Sequence, residues 1–226
     1  MSEIIFLILI FITILTTFSI YKMLDKRGYY FSLVIMNLLG LILSFKVATI
    51  SKINVNLNII PVIAVFTIIY VFITKYGYKE NKNIILISLY SNMSTSLLIA
   101  TMNYFVPAIT ETISINMQGT FAYNYKILIV YPIIMAISQY IVIRLYKLMS
   151  ELKKNISINV SLTYIITGLI PTMLFSILSY INILELKDSL FVGISTYIIG
   201  ILVTLINLLI INYLINKKVQ EWKILY

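Results

Sequence analysis

Tyr70-Val71-Phe72-Ile73-Thr74-Lys75-Tyr76-Gly77-Tyr78-Lys79-Glu80-Asn81-Lys82 begins as the end of an apolar helix and finishes as a short basic loop. Apolar runs of helical length that end in lysine-containing turns recur along the chain. Of the 226 residues, 61% are hydrophobic and only 11% are charged. A soluble domain is about half apolar and about a quarter charged, so the excess points to an integral membrane protein. The apolar blocks, such as 4–20 and 198–211, are rich in Ile and Leu and do not alternate with polar residues. A transmembrane barrel would alternate, so the expected class is all-α.

Working outward from that stretch, seven apolar segments can be marked, at about 4–22, 30–50, 59–74, 84–106, 127–148, 158–183 and 190–215. Each is close to the ~20 residues that cross a bilayer. No charged residue lies at the centre of any of them, and Lys46 and Arg144 lie toward ends, where long side chains reach the headgroups. Glu3 precedes the first segment while Lys22, Lys26 and Arg27 follow it. A signal peptide has the opposite charge order, so the first segment is expected to remain as a helix.

The basic loop at 75–82 falls on the same side as the connections after the first and fifth segments and the C-terminal tail. Together these hold thirteen of the seventeen Lys and Arg, and only Lys46, Lys52, Lys126 and Lys187 fall on the other side. The acids divide evenly. The positive-inside rule then predicts an N-terminus outside and a C-terminus in the cytoplasm. It also accounts for the net charge of +9 without nucleic acid, for which no loop is long enough to form a binding domain. The longest connection, 107–126, lies outside and reads as a surface loop or a lid. The tail, 216–226, places Trp222 and Tyr226 among lysines, as at an inner interface.

Polar side chains inside the spans turn toward neighbouring helices or a cavity, because lipid offers them no partner. Ser88, Ser91, Asn92 and Thr95 share one face of the fourth segment, at i, i+3, i+4 and i+7. Met135, Ser138, Gln139, Val142 and Tyr146 share a face of the fifth. Thr67, Tyr70 and Thr74 do so in the third, and Tyr164, Thr167, Gly168, Pro171 and Phe175 in the sixth. Serines and threonines in spans mostly bond between helices. Asn92 and Gln139 are amides that need several partners and can read the polar edge of a heterocycle. Pro171 lacks a backbone donor and is expected to kink its helix. Tyr70 and Tyr140 are the deeper aromatics that could stack on a planar ligand. The candidate substrate-binding residues are therefore Thr67, Tyr70, Asn92, Thr95, Ser138, Gln139, Thr167 and Pro171.

The chain has no cysteine and no histidine, and its eight acids lie in loops or at termini. That removes disulfides, thiol chemistry, zinc sites of the usual kind and histidine acid–base work. With no phosphate-binding glycine loop and no serine beside a base, no enzyme activity, no catalytic residue, no metal and no cofactor is expected. Proton-coupled carriers usually keep an intramembrane carboxylate, and none is present.

Ser138-Gln139-Tyr140-Ile141-Val142 before Tyr146 is echoed, at an offset of 29, by Thr167-Gly168-Leu169-Ile170-Pro171 before Phe175. Together with Tyr76-Gly77-Tyr78-Lys79 and the following Asn81-Lys82, these motifs resemble the VUT family of queuosine precursor transporters. That family has an apolar helix, a Tyr/Phe-Gly turn with basic residues, and two Gln-x-x-Asp-x-x-x-Phe-like helices. Of its motif side chains Gln139 is kept, while its acidic positions fall on Tyr70, Val142 and Pro171 and its second glutamine on Gly168. The likeness covers about 30–215 and implies a six-helix transporter core. Residues 1–29 would form an added N-terminal helix and basic loop, and 216–226 a cytoplasmic tail. It implies uptake of a planar, purine-like molecule such as a queuosine precursor across a bacterial cytoplasmic membrane. The expected partners are the lipid bilayer and that small molecule; a homo-oligomer is compatible with the sequence. Two other readings are a substrate-capture subunit of an energy-coupling-factor importer and a degenerate, non-transporting membrane protein. The first segment has no alanine, against the alanine-rich docking faces of such subunits.

Overall fold

The computed structural model describes residues 2–102, 125–151, 156–181 and 183–223. The elements are α1 (Ser2–Leu43), β1 (Val47–Ile50), β2 (Ile53–Asn56), α2 (Ile59–Tyr76), a 3-10 turn (Tyr78–Glu80) and α3 (Asn81–Met102). After the connection come α4 (Tyr125–Glu151), α5 (Ile156–Thr167), α6 (Leu169–Tyr180) and α7 (Leu186–Lys223). The expected helical class holds, with one small antiparallel hairpin added.

α2 is the pillar of the fold. It is apolar all round, and residues on every face are buried, from Ile59 and Ile60 to Phe72 and Ile73. Such a helix belongs in the middle of a bundle, and α1, α4 and α7 pack around it. It ends where the Tyr-Gly dipeptide stands. Gly77 takes φ 78° and ψ −177°, a backbone state open essentially to glycine alone. Its N–H closes the helix on the Ile73 carbonyl at 2.8 Å. The turn chemistry of the Tyr70–Lys82 stretch is thus a helix stop.

α1 is continuously helical but doubles back. The Ser32 hydroxyl reaches the Thr17 carbonyl at 3.5 Å, although in a straight helix that separation spans roughly 22 Å. At the far end the Glu3 carboxylate accepts hydrogen bonds from the Ser51 N–H (3.2 Å) and hydroxyl (3.3 Å). The reversal falls between Thr17 and Ser32, the interval that contains Lys22, Lys26 and Arg27, and it separates two antiparallel arms. They correspond to the first two expected segments.

The second segment is shorter than expected. Its helix stops at Leu43, and Val47–Ile50 is a strand paired with Ile53–Asn56. β-Branched Val47, Thr49 and Ile50 suit a strand. The two-residue turn Ser51-Lys52 has φ 48° and 67°, the double positive φ of a hairpin turn. The sixth segment is broken rather than continuous: Ser161–Thr167 and Leu169–Tyr180 meet at 42°. The break is where Pro171 requires it. Proline has no N–H for the carbonyl four residues earlier, that of Thr167, and its ring crowds the same carbonyl.

Among the described residues four helices are long and apolar enough to cross a bilayer, or five if the bent pair counts as one span. The seven expected segments exceed that number because α1 carries its charged bend, leaving Glu3–Thr17 as a shorter apolar helix. Large apolar side chains such as Leu97, Leu98, Ile133, Ile170 and Leu202 cover the outside, while Asn37, Asn92, Gln139 and Thr163 are buried. An apolar exterior around polar interior groups is the arrangement that lipid favours. The 107–126 connection, apart from its last two residues, lies outside the described residues, as does the extreme C-terminus.

Candidate functional site

Among the described residues two polar centres stand out inside the bundle. The first is a cavity of about 40 Å³ lined by the start of α2, the middle of α4, the bent α5–α6 pair and α7. Ser138, Tyr164, Gly168, Pro171 and Ser176 contribute to its walls, and Asn56 and Asn58 contribute from the hairpin side. Its volume suits about three water molecules. The bend at Gly168 brings Pro171 to the cavity, and the four-residue spacing from Tyr131 through Met135 puts both on its wall.

Asn56 ties the hairpin over this region. Its side-chain amide donates to the Ser44 carbonyl at 3.0 Å and to the Tyr180 hydroxyl. That hydroxyl donates in turn to the Ser44 carbonyl at 2.6 Å. The Asn56 side-chain oxygen accepts from the Asn58 N–H (2.8 Å), and its own N–H donates to the Thr196 hydroxyl (3.0 Å). Through its side chain and its backbone N–H, Asn56 joins β2 to the end of α1, to α6 and to α7. By contrast, Ser176 in the cavity wall has a buried hydroxyl with no hydrogen-bond partner among the described residues, and the likewise unpartnered hydroxyls of Tyr131 and Tyr164 lie against Gly40 and Gly200, which do not line the cavity. Unpaired buried hydroxyls are uncommon and mark places where a ligand or water can bind. Among the described residues no Asp, Glu, Lys or Arg lines the cavity, so its wall carries no formal charge.

The second centre is a network of amides between α1, α3 and α4. Asn37 donates to the Leu33 carbonyl at 2.8 Å and to the Ser88 hydroxyl at 3.0 Å. Its side-chain oxygen accepts from Asn92 at 3.1 Å and from Gln139 at 3.3 Å. The Asn37, Asn92 and Gln139 side chains have no solvent exposure. The network does not border the cavity.

The expected site residues therefore divide. Ser138 and Pro171 reach the cavity, and Thr167 is buried beside it, its hydroxyl donating to the Thr163 carbonyl at 2.6 Å. Asn92 and Gln139 belong to the amide network. Tyr70 is buried elsewhere, its ring edge-on to Tyr146 with centroids 4.6 Å apart, and Tyr146 shares a 2.8 Å hydrogen bond with Thr74. Thr95 bonds the Ser91 carbonyl of its own helix at 2.9 Å. Thr67 is half-buried on α2 and lines neither centre. Tyr140, expected to be deep, is 51% exposed and lies under Arg144, 5.3 Å from its ring.

Asn37, Asn56, Tyr131 and Ser176 were not among the residues singled out from the sequence. Asn37 had a signal: it is an asparagine in the middle of an apolar segment, where an amide needs partners. Asn56 had only its local contact to the Asn58 N–H, because Tyr180 and Thr196 come from remote parts of the chain. The chain matches no family model, and neither curated proteins nor solved structures give a match.

Proposed function

We propose that the chain is a small multi-pass transporter of the bacterial cell membrane, a divergent VUT-family member that imports a planar, purine-like molecule such as a queuosine precursor. The observation that carries this reading is the neutral cavity beside a helix bent at Gly168, with the unpartnered Ser176 hydroxyl in its wall. Broken helices inside a bundle are where transporters hold their cargo. Ser138 and Ser176 would supply the hydrogen bonds, and the rings of Phe66, Tyr131, Tyr164 and Phe175 the flat faces.

Seven spans follow from counting the two arms of α1, then α2, α3, α4, the bent pair and α7. The orientation, N-terminus outside, draws on the charge count and on shared ends. The Lys26 ammonium is 5.5 Å from the centre of the Tyr76 ring and that of Lys75 is 5.3 Å away, so two basic connections meet at one end. Glu3 and Ser51 meet at the other.

At about 40 Å³ the cavity is far below the roughly 300 Å³ of a usual small-molecule site. Import of a purine-sized ring requires α6 and the hairpin to separate. The same small volume favours a second reading, a membrane protein of related shape that transports nothing.

A queuosine-auxotrophic bacterium without its own uptake protein separates the two. Expression of this chain should restore queuosine in tRNA at low external precursor. No restoration, with the protein shown to be in the membrane, removes that substrate. Stabilisation of the purified protein by nucleobase analogues, lost in Ser138→Val, would keep a binding role. Its absence for every analogue leaves the non-transporting reading.

A further inference from the structure

The outer face of α4 ends in a charge that the chain itself does not neutralise. Ile133, Ile137, Tyr140, Arg144 and Lys147 follow one another at steps of three or four residues, so they form one stripe along the helix, and all are exposed. The two isoleucines make an apolar track. Tyr140 follows it, and the Arg144 guanidinium lies 5.3 Å from the centre of its ring. A ring face attracts the charge but leaves the in-plane N–H donors of a guanidinium without an acceptor oxygen. Among the described residues Arg144 has no hydrogen bond and no ion pair. Glu151, the nearest acid along α4, is about 10 Å farther on.

Helix geometry sets the depth of this charge. Lys126, near the other end of α4, and Arg144 are about 27 Å apart at 1.5 Å per residue, close to the ~30 Å of a hydrocarbon core. Arg144 then stands where the core gives way to headgroups, with Tyr140 one turn inside and Lys147 one turn outside. Tyr146 shares its 2.8 Å hydrogen bond with Thr74, so this end of α4 lies beside the end of α2, where Lys26 and Lys75 meet the Tyr76 ring. Outside the protein, that depth holds lipid phosphate, and a guanidinium fork matches two phosphate oxygens. A second copy turned about an axis along the bilayer normal would offer the same residues at the same depth, and the acids of this chain all lie in loops or at termini.

We infer that this face of α4 binds one anionic phospholipid from the leaflet at the basic end of the bundle. Arg144 holds its phosphate, Lys147 stands beside it, and an acyl chain runs along Ile137 and Ile133. A lipid with net negative charge suits the site better than a zwitterionic one, which brings its own ammonium toward two cations. The site requires that α4 cross a bilayer; it does not rest on the transport reading.

The test uses the full-length protein in a mild detergent, titrated with phosphatidylglycerol or phosphatidylcholine of the same acyl chains, with bound lipids counted by native mass spectrometry. The first phosphatidylglycerol should bind about fivefold or more tightly than the first phosphatidylcholine. Arg144→Gln should weaken that first binding about fivefold or more. Lys79→Gln, in the exposed turn after α2, should leave it within about twofold, since that charge is screened in water. Equal binding of the two lipids overturns the proposal and leaves ordinary lipid contact. So does a first binding that Arg144→Gln leaves unchanged, or one that Lys79→Gln weakens as much, which would mean the diffuse charge of the basic end. Inorganic phosphate that displaces the lipid at matching concentration would leave a free-anion site with no use for the apolar track. A dimer abolished by Arg144→Gln would put a second copy on this face. Either result overturns the lipid assignment. Should Arg144→Gln fail to fold, Lys147→Gln decides: an undiminished preference for phosphatidylglycerol overturns the site. The measurement contains no nucleobase, so its failure is distinct from failure of the uptake experiment.

Discussion

The hydroxyl of Tyr131 rests against Gly40, so closely that a Cβ at Gly40 would collide with it. Tyr131 is fully buried, its ring edge-on to Phe175 at 5.9 Å, and cannot swing aside. Gly40→Ala should therefore destabilise the protein by about 1–3 kcal/mol, the usual cost of overpacking. Tyr131→Phe alone should stay within about 1 kcal/mol of the parent, since its hydroxyl has no bond to lose. The double variant should recover part of the loss, since the ring carbon that stays is still 3.0 Å from that Cβ. Gly200 stands in the same relation to Tyr164, but a Cβ there would also come within 2.9 Å of Ile59. Gly200→Ala should be rescued only in part by Tyr164→Phe. Unfolding midpoints in a denaturing-detergent titration of the four single and two double variants check both.

Asn37 is the only member of the amide network bonded to all the others. Asn37→Leu leaves Ser88, Asn92 and Gln139 buried without it. Interhelical hydrogen bonds in membranes average about 0.6 kcal/mol each, less than in water-soluble cores because the unfolded chain also finds partners in lipid. Three lost together should cost on the order of 2 kcal/mol. Asn92→Leu removes one contact and leaves the Gln139–Asn37 bond intact, so its cost should be smaller. The same detergent titration would contradict the hub if the two variants lost equal stability.

What was legible in the sequence was the local pattern. The face of α4 chosen from spacing, Met135, Ser138, Gln139, Val142 and Tyr146, is buried throughout. A single step of about 100° takes Gln139 to Tyr140, and Tyr140 is outside. The kink required by Pro171 is at Thr167–Gly168. Local pattern did not reach groupings made by the fold. Ser138 and Gln139 are adjacent in sequence, yet one faces the cavity and the other Asn37, 102 residues away. The hairpin was missed because Ser51-Lys52 is not the Asn-Gly or Asp-Gly pair that such turns favour. Its turn is held by Glu3, 48 residues distant, and no short-range rule contains that contact.

The turn itself carries strain that can be relieved. Ser51 and Lys52 both occupy positive φ, which costs a residue with a Cβ roughly 1–2 kcal/mol relative to the usual regions. Lys52→Gly keeps the Ser51 contacts to Glu3 and should raise stability by about 1 kcal/mol. Glu3→Gln should lower it slightly, because a neutral amide is a weaker acceptor than a carboxylate. A rise in Tm for Lys52→Gly that survives in the Glu3→Gln background would show the two effects to be separate.

The orientation can be read by labelling, since the chain has no cysteine of its own. Lys52→Cys, in the exposed hairpin turn, should react in intact cells with a maleimide that cannot cross membranes. Lys79→Cys, exposed beyond the Gly77 helix stop, should react only after the cells are permeabilised. The reverse pattern would place the thirteen basic residues outside and contradict the charge asymmetry. Equal labelling of both positions in intact cells would show that α2 does not span.

The bend at Gly168 has a cause that one substitution removes. Pro171 has no N–H to give the Thr167 carbonyl, and beyond the break the Thr172 hydroxyl donates to the Gly168 carbonyl at 2.8 Å. Pro171→Ala supplies the missing donor and takes away the ring that crowds Thr167. The angle between the two helices should fall well below 42°, measurable as a longer distance between spin labels at Ile158→Cys and Ile181→Cys. Helix continuity should also raise stability by about 1–3 kcal/mol, set by what proline costs a helix interior. Pro171 and Gly168 both line the cavity, so straightening the pair should reshape it. Uptake of precursor should be lost while the protein becomes more stable, a combination that a folding defect cannot produce. A straight, stable variant that still restores queuosine in tRNA would mean that the bend serves packing alone.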